Sequence, residues 1–188
     1  NWTPLLSPRR GPAEIIFSPD ASRQWTTRGE LVVKSPWPAF LEVGETTAPN
    51  YSLEMHCRPQ NWKGQSGLFL GYQAIPENPD FVAATILSAL ETSPGKVTIV
   101  CRKEGQQIPS AIDQAPLSNS VIMTPANGEV TIAIDVQDHK LKKIYINQAE
   151  LQQSQLSSDL ILPCAGKFGF YLLGGETTFQ HCRIRITL

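Results

Sequence analysis

The stretch from Gly166 to Leu188, GKFGFYLLGGETTFQHCRIRITL, constrains the fold more than any other part of this chain. It reads as two β-strands joined by a Gly-Gly turn. The first, Lys167 to Leu173, is apolar and aromatic. In the second, Thr177 to Leu188, Cys182, Ile184, Ile186 and Leu188 share one face, while Arg183, Arg185 and Thr187 share the other. Alternation with a period of two marks a strand with one face on a core and one in water. A chain segment that ends on so regular a strand is expected to close a sheet.

The rest of the chain repeats this grammar. Strands are expected over Ala13–Phe17, Gly29–Lys34, Ala39–Val43, Asn50–Arg58, Ser66–Gln73, Val82–Leu90 and Lys96–Lys103. Prolines 36 and 38 separate two of them, because proline cannot donate to the interior of a ladder. Residues 104–128 read as a long polar loop with one short strand at Val121–Met123. Glu129–Asn147 reads as a hairpin about Asp138-His139. That pair lacks the glycine a tight primed turn prefers, so a longer connection is open. Residues 152–162 have room for one helical turn. No segment sustains a helical period, so the class is all-β, a sandwich or jelly roll. At 188 residues the chain is one domain, with 1–12 as an entering linker or edge segment and 13–188 as the sandwich.

A net charge of −1 gives no bulk field to draw the chain to nucleic acid or anionic lipid. No apolar run is long enough to insert in a bilayer. The start at Asn1, without an initiator Met, reads as part of a longer chain with other domains. Of the four cysteines, Cys57, Cys101 and Cys182 fall on apolar strand faces. They are either free buried thiols or, for Cys57 and Cys182, a bridge between neighbouring strands. Cys/His spacing for zinc is absent, and Glu77, Asn78 and Asp80 in the PENPD turn are fewer oxygens than calcium wants. No metal and no cofactor are expected.

Candidate chemistry gathers on one strand. Glu54, His56 and Arg58 share the polar face of NYSLEMHCR, about 7 Å apart per pair of residues. They form either an acid/base and anion-holding set, with Glu54 and His56 as the catalytic candidates, or an ordinary solvated face. Arg183 and Arg185, with His181 in the same parity, would join Glu54 if the last strand pairs beside this one. Arginine offers a fixed fork of donors to carboxylates and sugar hydroxyls. Trp62, Tyr72 and Trp37 lie in or beside loops, as sugar-stacking platforms or lids over the core. Gln73 adjoins Tyr72 as a further ligand-binding candidate. Asp135 stands as a lone carboxylate on the outer face of its strand.

The terminal pattern GKFGFYL…GGETTFQHCRIRI resembles the close of concanavalin A-like, laminin-G-like sandwiches. Together with Trp25 and GELVV, NYSLEMHCRP and QSGLFLGYQ, it resembles in particular the bacterial 3-keto-disaccharide hydrolase family. The resemblance implies a jelly-roll sandwich of two antiparallel sheets, a carbohydrate ligand, and a secreted or periplasmic setting as a module of a larger bacterial protein. The chain departs from that family where Gln65 stands for Asn and Gly71 for a strand-ending Arg. The family's Glu-x-Gln strand has no counterpart, and the E-x-D-x-x-E pattern of laminarinase-type sandwiches is absent. The expectation is therefore a non-catalytic carbohydrate- or ligand-binding module. The alternatives are a glycoside-processing hydrolase and a structural interaction domain.

Overall fold

The computed structural model describes residues 1–6, 14–17, 21–60, 64–74, 82–93, 96–104, 114–122, 128–150 and 163–188. Their strands, in chain order, are Thr3–Pro4 (β1), Glu14–Phe17 (β2), Ser22–Trp25 (β3), Leu31–Lys34 (β4), Pro38–Thr46 (β5), Tyr51–Pro59 (β6), Gln65–Ala74 (β7), Val82–Ser93 (β8), Lys96–Glu104 (β9), Gln114–Ile122 (β10), Val130–Gln137 (β11), Lys140–Ile146 (β12), Ala149–Glu150 (β13), Gly166–Leu173 (β14) and Glu176–Ile186 (β15). They form two antiparallel sheets. One is ordered β13-β12-β11-β6-β15-β4-β3, with β1 paired to the free part of β15. The other is ordered β10-β9-β8-β7-β14-β5-β2. The molecule is an all-β, concanavalin A-like sandwich.

The alternating strands face their apolar sides together. Leu53, Met55 and Cys57 of β6 and Val130, Ile132, Ile134 and Val136 of β11 are buried, in one cluster with Leu68, Leu70, Phe168, Phe170 and Leu172 of the other sheet. Phe170 and Phe179 stack across the layer with ring centroids 4.1 Å apart. Each fully buried side chain of this size contributes roughly 1.5–3 kcal/mol. The central strands of the seven-stranded sheet, β5, β7, β8 and β14, carry buried apolar side chains on both faces. Phe40, Phe69, Tyr72, Ala84, Ile86 and Tyr171 form a second buried cluster. Their neighbours Leu41, Leu68, Leu70 and Phe170 point to the first cluster, and adjacent strand residues point to opposite faces. This is why SGLFLGY and KFGFYLL are continuous apolar runs rather than alternating ones.

Several expectations change in detail. β14 and β15 do not pair with each other. Gly174 and Gly175, at φ of 72° and 78°, carry the chain from one sheet to the other. Instead of closing an edge, each of the two lies near the middle of its sheet. A bulge between Phe179 and His181 lets both Phe179 and Cys182 point inward. Pairing ends at Ile186, so Ile186 and Leu188 run past the core and are exposed. The expected loop 104–128 contains a full strand, β10, paired along β9 rather than a short piece at Val121–Met123. Asp138 and His139 do make a two-residue turn without glycine, both at positive φ. The corner at residues 49–50 supports it, since the Asn50 side chain accepts from Asp138 N–H and Pro49 O from His139 N–H. Gly71 has φ 64° at a bulge in β7, and a Cβ there would lie 2.3 Å from the Pro163 carbonyl oxygen. No arginine fits in that conformation.

Cys57, Cys164 and Cys182 are buried free thiols, so the Cys57–Cys182 bridge does not form. The register explains it: Cys57 lies opposite Phe179, and Cys182 lies opposite Met55. Burial pushes both thiols up to about 12. The PENPD turn, Trp62 and residues 152–162 lie outside the described residues.

Candidate functional site

β15 lies directly against β6, with Arg183 opposite Glu54 and Arg185 opposite Ser52. On the other side of β6, β11 places Ala133 opposite Glu54 and Asp135 opposite Ser52. β12 then sets Tyr145 opposite Ala133. A bulge in the β11–β12 register allows Leu141, Ile144 and Ile146 all to be buried, so Tyr145 points outward. These residues make up the outer face of the eight-stranded sheet.

Glu54 is the centre of that face. Arg183 Nη2 donates to both carboxylate oxygens, at 2.8 and 3.1 Å. His56 Nε2 is 3.3 Å from Glu54 Oε1, and His181 Nε2 is 3.9 Å from the same oxygen. The two imidazoles meet edge to face, with centroids 5.1 Å apart. Burial alone would raise the Glu54 carboxyl; the hydrogen bond and charge of Arg183, aided by His56, outweigh it and hold the group below its ordinary value. His181 is also lowered, first by burial and then by the positive fields of His56 and Arg183. Arg58 stands apart from this cluster and reaches Glu129 at 3.9 Å, both ends exposed.

Trp2 lies over this set. The Arg183 and Arg185 guanidinium carbons sit 4.6 and 5.0 Å from its ring centroid, a cation–π arrangement. Antiparallel pairing of Thr3 with Ile184 and Pro4 with Arg183 fixes the arm that carries it. Arg185 donates to Ser52 Oγ at 3.2 Å, and Ser52 donates to Asp135 at 2.6 Å. Tyr145 OH donates to the other Asp135 oxygen at 3.4 Å. The result is a hollow of about 290 Å³ bounded by Trp2, Tyr145, Glu54, Asp135, Gln148 and Arg185, with Thr131 and Ala133 in its lining. The small side chain of Ala133, between two much larger neighbours, makes the room.

The structure thus brings Glu54, His56, Arg183 and Arg185 together, with Arg58 at the margin. It places Tyr72 and Gln73 on the other sheet. Tyr72 is 8% exposed, its ring 5.6 and 5.8 Å from those of Phe40 and Phe69, and Gln73 donates to Ala165 O at 2.7 Å. Trp37 is exposed at a corner, where the Ser35 hydroxyl holds its backbone. Trp2, Ala133 and Tyr145 are the residues that sequence reasoning missed. Parity would have found Tyr145, as the outward residue of Ile-Tyr-Ile. No pattern in residues 1–6 signals that Trp2 folds over the final strand.

No family model and no curated protein matches the chain. Solved structures do. A Bacillus subtilis protein with a galectin-like fold superposes with a TM-score of 0.64 at 12% identity, covering 99% of this chain and 94% of that one. A glycosidic hydrolase gives 0.62 at 11%, covering 100% and 90%. A carbohydrate-binding module from Bacillus subtilis gives 0.55 at 11%, covering 96% and 92%. These superpositions support the sandwich and do not single out the 3-keto-disaccharide hydrolase family. At these identities the comparisons show a shared fold: this chain is a concanavalin A-like β-sandwich of the kind also found in carbohydrate-binding and glycosidase-like proteins.

Proposed function

We propose that the chain is a carbohydrate-binding module and that the Trp2–Tyr145 hollow is its binding site. The observation that carries this reading is the composition of the hollow. Two aromatic side chains stand at its sides, and carboxylate, guanidinium and amide groups surround its small floor. Sugar rings present apolar C–H faces to aromatic rings and hydroxyls to fixed donors and acceptors. The fold alone does not carry it, because one fold hosts many functions.

The state of Glu54 speaks against it as a glycosidase acid. Such an acid must hold a proton at working pH, which calls for a raised carboxyl, whereas an ionised carboxylate suits only the partner role. Arg183 holds Glu54 below its ordinary value. In this reading Glu54 fixes Arg183 and Trp2 and accepts from sugar hydroxyls.

The test is a glycan array followed by calorimetry on any ligand found. Trp2→Ala and Tyr145→Ala are each expected to weaken binding about tenfold or more while the far-ultraviolet spectrum is unchanged. Binding that survives both substitutions places the ligand elsewhere, and an array silent at high protein concentration removes the carbohydrate reading. Release of reducing ends in the same samples would support the hydrolase alternative, and its absence would remove it.

A further inference from the structure

A second hollow, also about 290 Å³, adjoins the first along the β6–β11 seam. The two share Ser52, Asp135 and Arg185, which form the saddle between them. Beyond the saddle the lining changes character. Asn50, Gln137, Asp138 and Thr187 stand there, and the one aromatic residue of its lining, Tyr51, is buried. The first hollow is the more aromatic of the two and the second the richer in polar side chains. The second also carries two carboxylates, Asp135 and Asp138, against one guanidinium, Arg185. The Arg185 fork is already turned toward Ser52 and the Trp2 ring.

From this juxtaposition we infer that the site takes a neutral, chain-like glycan of at least two sugar units, not a single terminal sugar and not an acidic one. One unit stacks between Trp2 and Tyr145. The next crosses the saddle and donates its hydroxyls to Asp135 and Asp138. A uronate in the second position meets two negative charges and one committed arginine, so it is rejected. This inference rests on the carbohydrate reading above and adds to it the length and charge of the ligand.

The experiment uses the whole chain and an array of glucose-, mannose-, xylose- and fructose-based oligosaccharides of one to six units, beside oligogalacturonate and oligoalginate. Calorimetry then compares each neutral hit with its own monosaccharide. The expected result is a gain of about tenfold or more from one unit to two or three, with no binding of the acidic series. Gln137→Ala combined with Thr187→Ala is expected to bring the ratio of longer-chain to monosaccharide affinity close to one. Asp138→Asn, which keeps a residue tolerant of positive φ, is expected to reduce that ratio and to relax the rejection of uronates. Equal affinity for one and several units, with Trp2→Ala still abolishing binding, would overturn this inference and leave the binding reading intact. Preferential binding of the acidic oligosaccharides would also overturn it. Failure of every glycan on the array would overturn both.

Discussion

Glu54 and His181 are in contact through one carboxylate oxygen, yet begin to respond to acid at different pH. His181 in the folded chain lies below its ordinary 6.5, so the unfolded chain takes up that proton more readily. Stability is full above 6.5 and falls as pH drops through it, until the folded imidazole is protonated too. Glu54 lies below its ordinary 4.5, so its contribution is present above 4.5 and is lost as pH falls toward its folded value. A urea midpoint followed from pH 8 to pH 3 should therefore decline in two steps. His181→Gln should remove the upper step and Glu54→Gln the lower one. An upper step that persists in His181→Gln assigns it to another group. At this scale the sequence showed which charged residues share the outer sheet face. Glu54, Arg183 and Arg185 are legible because strict alternation puts them on one face. Trp2 and Ala133 were not legible, because their roles depend on which strands are neighbours, and register is a long-range property.

Strands and turns were the most readable level. The alternation of β11 survives intact in its burial, and that of β6 is broken only at Ser52, which is buried as well. Local irregularities reset parity where the sequence carries no sign of them, as at the Phe179–His181 bulge and the β11–β12 register shift. The Asp138-His139 turn shows the same limit. Beside the tolerance of Asp138 for positive φ, its tightness comes from Asn50 and Pro49, distant in sequence. His139 sits at φ 58°, where a side chain with a Cβ costs about 1 kcal/mol. His139→Gly should recover part of that and raise the thermal midpoint by a few degrees. A lowered midpoint would mean that the imidazole holds the corner in a way the backbone does not reveal.

For the molecule as a whole, the class was legible and the wiring was not. Nothing in an apolar run tells which of two sheets it enters, so the central places of β14 and β15 appear only in the structure. Their position bears on how such a chain is made. Without β15, the eight-stranded sheet falls into β13-β12-β11-β6 and a separate β4-β3 pair. Without β14, the other falls into β10-β9-β8-β7 and β5-β2. A nascent chain therefore holds β6, β4, β7 and β5 with open edges until residues 166–186 leave the ribosome. Chains stalled at residue 165 should be digested quickly by a pulse of protease, whereas chains extended past 188 by an unstructured tether should resist. Because both keystones follow every other strand of the sandwich in the chain, its sheets can be completed only after those other strands have been made. The unfinished polypeptide must be shielded from pairing with its neighbours on a polysome until its final strands arrive.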